Sequence, residues 1–253
     1  MTTHSKRLPI IAHRGNAWDY PENSLASLAS AIELGCGFVE FDVQLSADGV
    51  PLVIHDADLQ RTAGDERAVL TAQASTLREV SVHEPARFGD RHQPTPLPRL
   101  ADVVDLLMRT PDVTALVELK RASIARHGIE AMLAATLPVL ERMRTQAVII
   151  SFNHALVAAA MQRGWRGGMV LETYDEIGAI AAGMPPELVI CNLRKLPAGD
   201  APLPQGPWRW AAYEVTTAQE VENLHARGVS LLETMQVRAI RSVLERVTWM
   251  SMS

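Results

Sequence analysis

Two histidines, three carboxylates, an arginine and a lysine stand where short apolar runs of this 253-residue chain end. His13 and Arg14 follow the run at 9–12, and His55 closes a short extended piece at 51–55. Glu40 and Asp42 lie two apart, so in a strand they point to one face with Phe38, while Val39, Phe41 and Val43 form the apolar other face. Leu116, Glu118 and Lys120 repeat the pattern opposite Val117 and Leu119. Carboxylates turned inward are costly to bury as anions unless a cation compensates them. Three of them without a thiolate suit a hard, oxygen-seeking ion, Mg²⁺ or Ca²⁺, rather than zinc. Such an ion with Arg14 and Lys120 stabilises negative charge on a phosphoryl group. Two imidazoles supply a general base for an attacking hydroxyl and a general acid for a leaving alkoxide, and phosphodiester cleavage needs both. Singly, each residue has a plainer reading: Glu118 and Lys120 as an ion pair, each histidine as a hydrogen-bonded structural group. Their convergence on one face is what favours an active site.

The elements that must position these groups alternate strand and helix. Strands are expected at 9–12, 37–43, 113–119, 147–151, 168–171, 188–191, 209–215 and 229–232. Helices are expected at 24–34, capped by Asn23 or Ser24, at 99–108, at 124–143 with Pro138 as a kink, and at 236–247. Eight such repeats favour a closed (β/α)8 barrel of TIM type over an open doubly wound sheet, and no glycine-rich dinucleotide fingerprint follows the first strand. The stretch at 57–98, with Gly64, Gly89 and Pro94, Pro96 and Pro98, reads as an insertion after the second strand with its own short helix near Leu77. One domain spanning 1–253 is expected. In a barrel the chemistry gathers where strands end and βα loops begin, where the residues above fall.

The bulk properties narrow the partners. With 47% hydrophobic and 21% charged residues, the chain can bury a large core. A formal net charge of −5 argues against nonspecific nucleic-acid binding, and a small molecule is the expected partner. Cys36 and Cys191 are too few and too far apart for a disulfide framework or a thiolate metal site. The polar start at 1–8 lacks the features of a signal peptide, and no segment has the length of a membrane span, so a soluble cytoplasmic protein without stable membrane insertion is expected.

The ordered motifs resemble the glycerophosphodiester phosphodiesterase family of the bacterial, cytoplasmic type. His13-Arg14-Gly15, Pro21-Glu22-Asn23-Ser24 and Glu40-Phe41-Asp42-Val43 look like its opening signature. Ser46-Ala47-Asp48-Gly49, Val53-Ile54-His55-Asp56, Leu59 and Arg61-Thr62 continue it. Leu97-Pro98-Arg99-Leu100, Val117-Glu118-Leu119-Lys120 and Ser151-Phe152 match its later blocks. The resemblance implies hydrolysis of glycerophosphodiesters to glycerol 3-phosphate and an alcohol. It implies His13 and His55 as the catalytic pair, Glu40, Asp42 and Glu118 as ligands of one divalent cation, and Arg14 and Lys120 as phosphate-binding residues. It also implies that the insertion shapes the pocket and that Glu22 and Asn23 form part of its wall, although a helix start near Asn23 explains that pair as well. The last third departs from the family: Tyr213-Glu214-Val215-Thr216 replaces a Trp-Thr-Val-Asn-like strand, and near the last strand the usual Thr-Asp pair appears as Glu233-Thr234. Glu172, after the fifth strand, is a further candidate for the pocket lining. The alternatives are a lysophospholipase D-type enzyme acting on acylated substrates and a non-catalytic phosphate-binding barrel. An enolase-type barrel fits less well, because two of the three carboxylates share one strand.

Overall fold

The apolar runs form β1 (Leu8–Ala12), β2 (Cys36–Leu45), β3 (Pro51–Val53), β4 (Thr114–Leu119), β5 (Ala147–Ser151), β6 (Arg166–Val170), β7 (Leu188–Asn192), β8 (Arg209–Tyr213) and β9 (Val229–Thr234). The computed structural model describes residues 8–246. The segment at 1–7, expected to carry no leader, and Val247, at the expected end of the last helix, lie outside them. All strands but β3 run parallel in the order β1-β2-β4-β5-β6-β7-β8-β9, and β9 pairs back onto β1, which closes the barrel. The eight expected barrel strands are therefore present, and β3 pairs antiparallel with β2, Val43 opposite Val53.

Period-two alternation sorts each strand between two cores. Ile11, Leu116, Val148, Ile150, Val170, Leu188, Ile190, Ala211 and Leu231 fill the barrel, with Phe38, Phe152 and Tyr213 packed against them. Val39, Phe41, Val43, Val117 and Leu119 face outward into a larger core shared with the helices. Glu40, Asp42 and Glu118 thus follow Phe38 and Leu116 toward the mouth, as their spacing requires.

The helices are α1 (Leu25–Glu33), α2 (Gln60–Ala63), α3 (Ala74–Leu77), α4 (Pro85–Phe88), α5 (Leu100–Leu107), α6 (Arg121–His127), α7 (Ile129–Leu140), α8 (His154–Gln162), α9 (Ile177–Ala182), α10 (Ala218–Ala226) and α11 (Val237–Arg246). Ser24 rather than Asn23 caps α1, its hydroxyl accepting from Ser27 N at 3.1 Å. The long helix expected at 124–143 is instead α6 and α7. Gly128, at φ 86°, breaks it, because a glycine takes that backbone angle without strain. Pro138 stays inside α7 and does not end it. The strand expected at 209–215 stops at Tyr213, and Glu214 turns the chain at φ 68°.

Between β3 and α5, three short helices stand where one was expected. The scattered apolar residues of this insertion are not exposed. Leu59, Val69, Leu77, Val82 and Leu97 join Leu52 and Ile54 in a separate hydrophobic cluster. That cluster anchors the insertion beside the mouth, next to His55. No helix among the described residues is long and apolar enough to cross a membrane.

Candidate active site

The turn after β1 is built on two left-handed residues. Gly15 sits at φ 80°, and a Cβ there would lie 2.5–2.7 Å from Ser27 and Leu28 atoms of α1, so only glycine fits. Arg14 takes φ 55°, a strained angle for a side chain of its kind. That angle turns the Arg14 backbone N–H onto Glu40 Oε2 at 2.9 Å, while the guanidinium reaches Asp42 Oδ2 (3.2 Å) and Glu22 Oε1 (3.1 Å). One residue therefore ties β1 to both carboxylates of β2.

Asn23, also left-handed at φ 57°, makes a two-way clamp on Asp42. Its Nδ2 donates to Asp42 Oδ2 at 2.8 Å, and the Asp42 backbone N–H donates to its Oδ1 at 3.1 Å. From β4, Lys120 Nζ donates to Glu118 Oε1 at 2.9 Å and lies 3.1 Å from Asp42 Oδ1. Burial alone raises a carboxyl pKa, yet Arg14 and Lys120 outweigh it at Asp42 and hold that group well below its ordinary range. Glu40 goes the other way, pushed well up by burial and by Asp42, Glu233 and Glu118. Glu118 is raised by burial and by Asp42.

Oxygens of Glu40, Asp42 and Glu118 lie within 4.8 Å of one another. Glu40 Oε1 is buried without a hydrogen-bond donor, and Asp42 Oδ1 meets only the Lys120 ammonium, at 3.1 Å. An orphaned anionic oxygen in such a place calls for a cation, and an all-oxygen set suits Mg²⁺ or Ca²⁺.

The histidines flank this cluster. His13 Nε2 is 4.0 Å from Glu40 Oε2 and 3.8 Å from Glu233 Oε1. Burial, with Arg14 beside it, drives its pKa down to about 3, so the imidazole is neutral. His55 is one-third exposed, and its Nδ1 meets Asp56 Oδ1 at 2.6 Å. Its pKa is lowered as well, chiefly by burial, while Asp56 acts in the opposite sense. Arg61 of α2 holds Asp56 by its Nε (2.7 Å) and Glu22 by both terminal nitrogens (2.8 and 2.6 Å). A continuous chain thus runs from Arg14 through Glu22, Arg61 and Asp56 to His55. Gln44 fixes the His55 backbone, donating to its carbonyl at 3.0 Å.

The fold therefore brings His13, His55, Arg14, Lys120, Glu40, Asp42 and Glu118 to one side of the mouth. Glu172 does not join them; it pairs with Arg121 at 2.8 Å and Lys195 at 3.5 Å in an exposed cluster across the mouth. Sequence reasoning gave no role to three residues of the site. Asp56 and Arg61 stood within quoted motifs, and inward parity with Leu231 could have marked Glu233.

A family model, the glycerophosphoryl diester phosphodiesterase family, matches residues 13–164. A glycerophosphodiester phosphodiesterase of Caldanaerobacter subterraneus subsp. tengcongensis is 34% identical over 146 residues, 57% of this chain and 58% of that protein. One from Bacillus altitudinis is 28% identical over 149 residues, 59% of this chain and 60% of the other. The chain thus matches about three-fifths of the length of these relatives. Among solved structures, an Oleispira antarctica phosphodiesterase in complex with the product sn-glycerol-3-phosphate superposes with a TM-score of 0.79 at 22% identity, covering 93% of this chain and 96% of that one. A glycerophosphodiester phosphodiesterase from Thermotoga maritima gives 0.72 at 20% identity, over 95% and 100%. Those structural likenesses establish the shared fold, and the match from His13 through Glu118 and Lys120 establishes the kinship: the chain belongs to the glycerophosphoryl diester phosphodiesterase family.

Proposed function

We propose that the chain is a single-domain, metal-dependent phosphodiesterase that hydrolyses glycerophosphodiesters to glycerol 3-phosphate and an alcohol. The observation that carries this reading is the buried carboxylate cluster of Glu40, Asp42 and Glu118, with Glu40 Oε1 left unpartnered, held between two imidazoles and flanked by Arg14 and Lys120. Those three carboxylates would hold one divalent cation, Mg²⁺ or Ca²⁺. When bound, it would supply a Lewis acid that draws charge from a phosphoryl oxygen. Arg14 and Lys120 would hold the remaining phosphoryl oxygens, their orientation already fixed by Asp42, Glu22 and Glu118.

The two histidines have unequal surroundings, and these support unequal roles. His13, buried and neutral, suits the base that takes the proton of the attacking hydroxyl at Nε2. His55, the more exposed of the two, carries a carboxylate on Nδ1 that orients the ring toward the mouth's solvent side, so it suits the acid that protonates the leaving alkoxide. Asp56, fixed by Arg61, serves as its positioning residue.

Release of glycerol 3-phosphate from glycerophosphocholine and glycerophosphoethanolamine tests the reading, with and without EDTA, for wild type and His13→Ala. Metal-dependent release that the substitution abolishes is expected. A metal-loaded wild type inactive on both, but active on lysophospholipids, would move the substrate class to acylated phosphodiesters.

A further inference from the structure

Glu233 is a carboxylate at the mouth that the reaction above does not use. β9 sends Leu231 into the barrel core and Glu233, two residues on, to the same face at the strand's end. The residue is only 4% exposed. Among the described residues its carboxylate accepts no hydrogen bond, and its one ion-pair contact is His13 Nε2, 3.8 Å away. Burial, with Glu118 and Asp42 nearby, pushes its pKa up to about 8. A buried carboxylate without a donor is the kind of group that a cation satisfies.

Its neighbours are a ligand set. His13, Glu40 and Glu233 offer three ligand atoms within 4.8 Å of one another. Glu40 belongs to this group and also to the one with Asp42 and Glu118. The two groups differ in chemistry. The second is all oxygen, whereas the first contains an imidazole nitrogen, which suits Zn²⁺ and related first-row ions far better than Mg²⁺ or Ca²⁺. A tetrahedral ion with bonds of about 2.0–2.1 Å holds its ligand atoms about 3.3 Å apart. His13 Nε2 now stands 3.8 and 4.0 Å from the two carboxylates, and all three ligand atoms lie within 4.8 Å, so closure needs side-chain shifts of roughly 0.5–1.5 Å.

We propose that His13, Glu40 and Glu233 form a second divalent-cation site, taking Zn²⁺ or a similar imidazole-seeking ion, whose occupation inhibits the enzyme. Glu40 bridges it to the oxygen-only site. The inhibitory part rests on the reading of His13 as the general base, because an ion on Nε2 occupies the lone pair that accepts the proton. The binding part stands without that reading.

Calorimetric titration of the full chain with Zn²⁺ in a large excess of Mg²⁺ tests the site, for wild type and Glu233→Gln. Wild type is expected to bind one Zn²⁺ without releasing Mg²⁺, and Glu233→Gln to bind it about tenfold more weakly or worse. Zinc inhibition of glycerol 3-phosphate release, relative to each protein's own uninhibited rate, should shift by the same factor. Zinc that binds only by displacing Mg²⁺, or binds Glu233→Gln as it binds wild type, overturns the proposal. Should Glu233→Gln fail to fold, Co²⁺ added to Mg²⁺-loaded wild type gives the same answer: hyperfine-shifted imidazole proton resonances support the site, and their absence overturns it. A wild type that binds zinc as described but turns over no phosphodiester speaks against the enzymatic reading alone.

Discussion

The strand ends of β1, β2 and β4 form one half of the barrel mouth, and those of β5 to β8 form another of very different character. In the first, His13, Arg14, Glu40, Asp42, Glu118 and Lys120 are largely buried, and each side chain contacts another charged group of the set. In the second, Phe152 and Tyr213 pack on the barrel core, and the charges of Glu172 and Lys195 pair near solvent, Glu172 also reaching Arg121 at the start of α6, after β4. Exposed pairs contribute about 0–1 kcal/mol each, whereas breaking a buried pair costs about 3–5 kcal/mol by stranding its partner. Geometry is therefore over-determined in the first half and loosely held in the second. Under the proposed function, the first would fix the phosphoryl group and the second would meet the alcohol attached to it. The family match, ending at residue 164, covers all of the first half and only the start of the second.

The largest effects should separate the halves. His13→Ala and His55→Ala are each expected to lower kcat by about 10²–10⁴-fold. Phe152→Ala, across the mouth, should lower kcat/KM by about tenfold, and a loss there equal to the histidine losses would break the comparison. Next, Arg61→Gln frees Asp56 and Glu22 together and should cost about 10–100-fold in kcat, with partial recovery in Arg61→Lys. Steady-state rates for the pair show whether the chain from Arg14 to His55 acts as a unit. Adding Mg²⁺ or Ca²⁺ at about 100 times its Kd should stabilise the metal-free wild type by about 2.7 kcal/mol but leave Asp42→Asn nearly unmoved, as read by thermal melts.

Glu233 gives a pH signature in EDTA. Its folded pKa of about 8 exceeds its ordinary 4.5, so the native state keeps the proton across that window. Wild-type stability is then full below the lower value and falls as pH rises through the upper one. Glu233→Gln lacks this loss, and its advantage over wild type should grow between pH 5 and 9 by on the order of 1–3 kcal/mol in denaturant titrations. The smallest effect is expected at Glu172→Gln, within about 0.5 kcal/mol of wild type in stability and unchanged in kcat.

What the sequence made legible follows the same division. Parity along β2 and β4 sends Glu40, Asp42 and Glu118 inward whatever the loops do, so a strict period of two was enough to read them. Asn23 was harder to read. An asparagine before a serine is a good helix cap, and only the left-handed backbone turns its side chain onto Asp42 instead. Arg61 and Asp56 act through long-range contacts made by the insertion, which no local pattern encodes. The break at Gly128 was hidden because the apolar residues on either side continue a helical period across it. Glu233 obeys the parity rule as plainly as Glu118, but its neighbours His13 and Glu40 come from the opposite end of the sequence, and only barrel closure brings them together.

The most direct test is a crystal of the chain soaked with Mn²⁺ and glycerol 3-phosphate, with anomalous scattering used to place the ion. The account predicts an anomalous peak against Glu40, Asp42 and Glu118, with the phosphate on Arg14 and Lys120 between His13 and His55. A phosphate lodged instead by Arg121 and Lys195, with no ion on the three carboxylates, would contradict it.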